Sequence, residues 1–526
     1  MRKASVILLL LTICSTLIAD SIIGKRYVDL IVISDWQNPN MEVNPNKDHN
    51  TINKEPNAIT AYAQTLDGTV GMRLQFDDRS YNLLSRYDII TLDLNGARVI
   101  RAEDTGALTV IALTPANVVS LRHGSAANLV RKVRSISHLT DSDIYTWVTL
   151  KETEFVFKDG TYSDIQESYA LYNEKYHSGY KSIHNRMDGW PVTLRDSEGG
   201  AIYMLVNSLC DWRRDGDGVP QGVGEVSGII VSSHLRRFGD SIGRYCIRPF
   251  DKESVQVLPK KSTSLWKLHT GFLLDGSHGQ TLTFKMAGEV TDVNKAKMKN
   301  DWVLNDVGSN SMLMTDTGAE IRVLSDYNCL TADSQNNGMV KNGAICFTCP
   351  LENWYEFNNA GKVKGTKGIT LAFSTKKLKG NNMQLAFDIA AGNGSMDSCE
   401  LYPYEWKVEY SLNGFDWILL KDAVTGLDRF AVRTVPTWSK TIRDQKYPTQ
   451  YDCGAGLQQH VFELPAEAFG KDNVEVRISP ASEVLTAIHH KSDKSSRQKS
   501  DGSNVARPGM KNRTFIRFGT IRVDYR

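Results

Sequence analysis

The feature that most constrains this chain is a succession of short segments in which apolar and polar residues alternate with a period of two. Met72-Arg73-Leu74-Gln75-Phe76 and Trp406-Lys407-Val408-Glu409-Tyr410-Ser411 are two of them. This period sends successive side chains to opposite faces of a strand. The 40 glycines suit tight turns between such segments. The pattern predicts a mostly β chain with many short strands.

The length implies several domains, because 526 residues exceed what one hydrophobic core supports. About five strands in residues 24–130, with a turn at Asn95-Gly96, predict a small barrel. Residues 135–258 repeat this plan. Long strands joined by loops of very unequal length in residues 264–526 predict a two-sheet sandwich of jelly-roll type.

The sequence of one strand in the second block predicts a β-bulge. In Trp147 to Phe157 the apolar phase flips between Leu150 and Phe155. A β-bulge, one extra residue in a strand, produces such a flip and lets the strand curl. We therefore expect a bulge between these two residues.

The first residues predict export. Arg2 and Lys3 precede an apolar stretch that is shorter than the roughly 20 residues of a membrane span, so residues 1–19 are expected to be a signal peptide. Leu11-Thr12-Ile13-Cys14 resembles a lipobox with Cys14 as the acylated residue, while cleavage after Ala19 is the alternative. The expected location is the cell surface, the outer membrane through a lipid anchor, or the periplasm, without a transmembrane helix.

Catalytic, metal and cofactor signatures are not found in the sequence. Cys346-Phe347-Thr348-Cys349 has CxxC spacing but no second pair of ligands, which favours two core cysteines. Asp215-Gly216-Asp217-Gly218 lacks the further oxygen ligands of a calcium loop. A net charge of +2 neither favours nor excludes a polyanionic partner. We expect no enzyme activity, no metal and no cofactor.

Two family resemblances follow from particular motifs. Trp406 to Trp417, with its Val408-Glu409-Tyr410-Ser411 strand and Asn413-Gly414 turn, resembles discoidin-like, galactose-binding-type sandwiches. Val219-Pro220-Gln221-Gly222-Val223-Gly224-Glu225-Val226-Ser227-Gly228-Ile229-Ile230 and Gly71 to Phe76 are similar to the OB-like domains of exported Bacteroidota proteins of unassigned function. The resemblance implies two OB-like small barrels followed by a jelly-roll-type sandwich, and no activity.

The stretch from Tyr169 to Trp190 is the first candidate binding segment. It interleaves tyrosines, among them Tyr176 and Tyr180, with lysine, histidine and arginine. OB barrels bind oligonucleotides and oligosaccharides on one face, where aromatic rings stack on bases or sugars. Trp212 and Arg213 would border the same face. The alternative is a loop whose aromatic side chains cover the barrel while its charges face water.

Aromatic residues in expected loops of the sandwich supply the second candidate. Trp354 and Trp438 are the ligand-binding residues predicted there, because loops carry most binding functions. The alternative is that each ring packs in the core or against its own loop. The leading hypothesis is a non-catalytic exported protein that binds carbohydrate or another surface polymer. The alternatives are single-stranded nucleic-acid binding through the barrels, a structural or adhesive role, and an enzyme whose site is assembled from distant residues.

Overall fold

The structure is a computed structural model that describes most of residues 22–41, 58–157, 191–207, 219–232, 243–257, 264–274, 344–391, 401–432, 458–487 and 504–526, with short segments between these ranges. The described elements are strands and short 3-10 segments, so the prediction of a mostly β chain is confirmed. No helix among these residues has the length and apolar character needed to cross a membrane. The signal peptide and Cys14 lie outside the described residues.

The first block forms one seven-stranded sheet, with strand order β7-β8-β5-β4-β1-β6-β9, and a two-stranded β2-β3 pair. Its strands are β1 (Tyr27–Val32), β2 (Asn44–Pro45), β3 (Ile52–Asn53), β4 (Thr60–Thr65), β5 (Gly71–Phe76), β6 (Ile89–Asp93), β7 (Arg98–Arg101), β8 (Leu108–Leu113) and β9 (Val118–Arg122). The predicted turn at Asn95-Gly96 separates β6 from β7, and Gly96 has the positive φ of 82° that suits glycine.

The second block also forms a seven-stranded sheet, with order β10-β11-β13-β14-β19-β16-β20 and an added β11–β16 pairing. Its strands are β10 (Lys132–Arg134), β11 (Trp147–Phe155), β12 (Asp164–Ile165), β13 (Val192–Arg195), β14 (Ala201–Met204), β15 (Val206–Asn207), β16 (Gly224–Val231), β17 (His234–Leu235), β18 (Asp240–Ser241), β19 (Cys246–Arg248) and β20 (Val255–Val257). The added pairing closes five of these strands into a ring, β11-β13-β14-β19-β16.

The two blocks share one pairing scheme. In the first, β1 pairs antiparallel with β4 and β6, β4 with β5, and β6 with β9, while β5 and β8 are parallel. In the second, β11, β13, β14, β16, β19 and β20 take the places of β1, β4, β5, β6, β8 and β9. The blocks differ at closure, because β16 pairs with β19 whereas β8 pairs with β7.

The predicted bulge lies in β11. The pairing of β11 with β16 shifts register between Leu150 and Thr153, and Glu152 has a positive φ of 49°. The bulge prediction is therefore confirmed.

The third block contains two larger sheets, a six-stranded sheet of β21, β26, β29, β33, β38 and β42, and a seven-stranded sheet of β23, β25, β32, β35, β36, β37 and β39. Its strands are β21 (Lys267–Leu274), β22 (Gln280–Thr281), β23 (Phe284–Met286), β24 (Asn305–Asp306), β25 (Met312–Thr315), β26 (Glu320–Leu324), β27 (Asn328–Cys329), β28 (Val340–Lys341), β29 (Ala344–Pro350), β30 (Tyr355–Phe357), β31 (Val363–Thr366), β32 (Ile369–Phe373), β33 (Met383–Ala391), β34 (Leu401–Pro403), β35 (Glu405–Ser411), β36 (Ile418–Leu419), β37 (Phe430–Ala431), β38 (Gln458–Leu464), β39 (Val474–Pro480), β40 (Val484–Ala487), β41 (Asn504–Val505) and β42 (Arg513–Tyr525).

One apolar core joins the two larger sheets. Phe387 of β33 and Phe518 of β42 come from one sheet, while Leu371 of β32 and Val476 of β39 come from the other, and all four are fully buried in the same cluster. Two sheets that bury their inner faces against each other form a β-sandwich.

The three blocks also bury residues against one another. Ile31 and Tyr62 of the first block share an apolar cluster with Trp147 and Phe250 of the second. Phe157 of the second block shares a smaller cluster with residues of β33 and β38, Ala386 and Val461. These contacts place the second block between the first block and the sandwich.

Candidate binding site

Most of the sequence-predicted binding residues cannot be placed. Tyr176, Tyr180, Trp190, Arg213 and Trp438 lie outside the described residues, so they stay predictions. The Asp215–Gly218 stretch lies outside them as well.

Trp354 does not offer a ring face to a ligand. It ends a 3-10 segment, Leu351–Trp354, and its side chain is 0% exposed in the sandwich core. Its Nε1 donates a hydrogen bond of 2.6 Å to the Thr514 hydroxyl, and its ring meets that of Trp406 edge-on at 5.2 Å. The interpretation of Trp354 as a sugar platform in a loop is wrong, because its ring is buried in the core and has no face exposed to a ligand.

Trp212 is half-buried and packs on the second block. It contacts that block's apolar core, and its ring lies edge-on to Tyr162, with 5.2 Å between centroids. This packing is what the covering role of the aromatic loop predicts for this residue.

An exposed turn of the sandwich is a better candidate. It connects β35 to β36, and we call residues 411–419 the aromatic turn. The Ser411 hydroxyl accepts the Gly414 N–H at 2.9 Å, and Gly414 has a φ of 79° that glycine adopts without strain. The side-chain oxygen of Asn413, Oδ1, accepts the N–H groups of Phe415 and Asp416, each at 2.9 Å. These bonds are the side-chain-to-backbone kind that Ser and Asn make in turns, and they fix the backbone conformation.

The fixed backbone presents an apolar surface to solvent. Phe415 is 87% exposed at the tip, and Ile418 and Leu419 of the edge strand β36 are 53% and 44% exposed. Folding gains nothing from a phenylalanine in water, since burial is what makes such a side chain stabilising. Grouped exposed apolar side chains mark interaction sites more often than scattered ones.

A stacked arginine supports the base of the turn. The guanidinium carbon of Arg477, on β39, lies 4.1 Å from the ring centroid of Trp417. Arg477 also donates to Glu409 Oε2 at 2.8 Å, and Lys407 pairs with Glu409 Oε1 at 3.0 Å. The cation–π contact and the shared carboxylate hold the Trp417 ring in place, half-buried against the outer face of the sheet.

In the sequence, the Asn413-Gly414 turn indicates the fold, and Phe415 is not among the predicted binding residues. The sequence does contain one indication of a binding role. Phe415 directly follows the Asn413-Gly414 turn, where a side chain rarely reaches the core. Sequence alone could not show that Phe415 points outward and that Trp417 is supported by Arg477, which is 60 positions away.

Among the described residues, no group of three or more His, Cys, Asp or Glu side chains is placed to hold a metal. His460 and Asp422 form a buried pair at 2.9 Å, beside Phe430. The other Asp422 oxygen accepts the N–H groups of Val424 and Thr425, so this carboxylate organises a turn. Cys349, of the CxxC spacing, is a buried residue of β29, and the side chain of Cys346 is not described.

Comparisons with known proteins identify no family. No family model matches the chain, and no curated protein matches it. Among solved structures, it is similar to the K1 cleaved adhesin domain of Lys-gingipain from Porphyromonas gingivalis W83, with a TM-score of 0.17 and 12% identity over 41% of this chain and 98% of that domain. A likeness at this TM-score transfers neither fold nor function.

Proposed function

We propose that this chain is an exported, non-catalytic binding protein whose aromatic turn binds a neutral polysaccharide. The observation that carries the proposal is the 87% exposure of Phe415 on a turn whose backbone is held by Ser411 and Asn413. A rigid aromatic residue gives contact area at little conformational cost. Sugar rings have apolar faces that pack on such a ring, and the exposed carboxylate of the adjacent Asp416 accepts hydrogen bonds from hydroxyls.

The charges around the turn favour a neutral ligand. The carboxylates of Glu409, Asp416 and Glu475 accompany two cations, Lys407 and Arg477, and both cations contact Glu409. Asp416 and Glu475 instead accept hydrogen bonds from amide groups, of Asn413 and Asn473. The set has an excess of one negative charge, which repels polyanions such as nucleic acid or sulfated glycans.

We also propose that both barrels are OB-like and that the sandwich is of jelly-roll type. The five-stranded ring with a parallel β14–β19 pair, and the same order in the first block, support the barrel assignment. In this proposal the barrels carry the sandwich at the cell surface, and export follows from the N-terminal sequence.

The test compares binding by Phe415→Ala and by the wild-type chain from Gly24 onward, in pull-downs with insoluble neutral polysaccharides and affinity electrophoresis with soluble ones. We expect Phe415→Ala to bind at least about tenfold more weakly, which corresponds to about 1.4 kcal/mol. The matched control is Leu83→Ala, because Leu83 is 76% exposed and belongs to the first block. Equal binding by Phe415→Ala and wild type, or wild-type binding to sulfated glycans alone, would contradict the proposal.

Exposed aliphatic residues beside Phe415 favour one second candidate, adhesion to a protein surface. Ile418 and Leu419 are branched side chains that suit a protein partner better than a sugar. If no polysaccharide on the panel binds, while a Phe415-dependent interaction with a surface protein is found, this second function replaces the first.

A further inference from the structure

The edge strand β9 of the first block is exposed along its length. Val119 is 57% exposed and Leu121 41% exposed, and among the described residues β9 has one neighbouring strand, β6. The edge strand in the same position of the second block, β20, instead buries Val255 to 7% exposure in its core. An open edge with apolar side chains is a template for another strand, and edge strands are commonly protected by charges or prolines.

We propose that β9 pairs antiparallel with β9 of a second copy of this chain, about a two-fold axis at Ser120. In this register Val119 faces Leu121 of the second copy, twice by symmetry, and Arg122 faces Val118. The two Arg122 side chains are then about 13 Å apart along the strands, since each residue advances about 3.3 Å. Like charges therefore do not oppose each other, and apolar side chains meet.

The other edge of the same sheet makes an open-ended assembly unfavourable. That edge, β7, has Arg98 at one end and Arg101 at the other. If β9 paired with β7 of the next copy, Arg122 would lie near one of these arginines in either strand direction. A closed pair of β9 strands avoids this repulsion, so the charges favour a dimer over a filament.

The length of β9 limits the strength of the pair. The pairing of β9 with β6 shifts register between Thr91 and Leu92, which leaves Val119 as an extra residue in a bulge. A bulge bends an edge strand and shortens the part that can pair. We therefore expect a dimer that dissociates on dilution, with the Val119–Leu121 contacts supplying most of its affinity.

Cysteine cross-linking at the axis is the test. Ser120→Cys in the chain from Gly24 onward would bring two Cα atoms about 4.5–5.5 Å apart, within the range of a disulfide. We expect mild oxidation to give a covalent dimer of Ser120→Cys. Arg122→Cys and the unmodified chain, which keeps its own cysteines, are the controls and should not form it.

Light scattering over a hundredfold concentration series completes the test. The wild-type mass should double towards the highest concentration, while Leu121→Lys should stay monomeric, because its charge would face Val119. A wild type that is monomeric throughout, or a Leu121→Lys variant that still dimerises, would overturn the proposal. Circular dichroism of Leu121→Lys shows whether the variant is folded, and binding by Phe415 is not involved in either measurement.

Discussion

At the scale of single residues, His269 is an ionisable side chain that folding buries. It lies on β21, is 9% exposed, and has Nε2 2.8 Å from the carbonyl oxygen of Ser374. Its ring is edge-on to Phe373, with 6.0 Å between centroids. Burial lowers the pKa of His269 below its ordinary value of 6.5, and the hydrogen bond to Ser374 opposes this only in part. The folded protein therefore favours the neutral ring.

This burial predicts a loss of stability in acid. Below pH 6.5 the unfolded chain protonates His269 before the folded chain does, so the free energy of unfolding falls as the pH drops towards the lowered pKa. His269→Gln should flatten the part of the denaturation profile that lies below about pH 6.5. An unchanged slope in His269→Gln would show that other groups cause the acid sensitivity.

Residue type alone did not separate binding aromatics from core aromatics. Trp354 and Phe415 are both aromatic residues near strand ends, yet one is 0% and the other 87% exposed. What buries Trp354 is a hydrogen bond to Thr514 and a ring contact with Trp406, and both partners are distant in sequence. Such contacts depend on how the strands assemble, which local patterns do not report.

At the scale of elements, local periodicity was a good guide. The period of two located the strands, and the phase flip after Leu150 located the bulge in β11. The short strand β41 was not predicted from the sequence. Asn504 and Val505 form β41, which pairs with β40, and Ala506 is buried in the sandwich core. This two-residue strand is set by its partner, so its own sequence has too short a pattern to detect.

Gly71 lies at the contact between the first two blocks, where a larger side chain should destabilise the protein. A Cβ on Gly71, in β5, would lie 2.2 Å from the backbone carbonyl of Tyr145. Gly71→Ala should therefore destabilise the protein by about 1–3 kcal/mol, the usual cost of overpacking. Gly365→Ala is the control, because the nearest atom to its Cβ is 3.5 Å away in the Glu356 carboxylate. Chemical denaturation measures the stability of both variants. A Gly71→Ala midpoint equal to that of the wild type would show that the first two blocks can move apart at this contact without loss of stability.

At the scale of the whole molecule, a buried charge network joins the second block to the sandwich. Arg195 of β13 donates to Glu154 at 2.8 Å and to Asp524 of β42 at 2.7 Å. Glu154 also accepts the Ser264 hydroxyl, in the segment that connects the two blocks, at 2.6 Å. The guanidinium of Arg195 lies 4.5 Å from the ring centroid of Trp266. Residues from the barrel, the connection and the last strand thus meet around one arginine, which is 1% exposed.

This network predicts that the second block and the sandwich unfold together. Arg195→Met would leave the carboxylate of Glu154 buried without its cation, which should cost about 3–5 kcal/mol, while Asp524 keeps its pair with Arg522 at 3.0 Å. Adding Glu154→Gln to Arg195→Met removes the unpaired buried charge and should recover part of the loss. Lys376→Met breaks a pair with Asp472 whose side chains are 66% and 79% exposed, and should leave the midpoint unchanged. Calorimetry should show one shared transition in the wild type, and two separated transitions in Arg195→Met would locate the lost energy at this junction. A wild-type scan that already shows two independent transitions would mean that the network does not couple the two blocks.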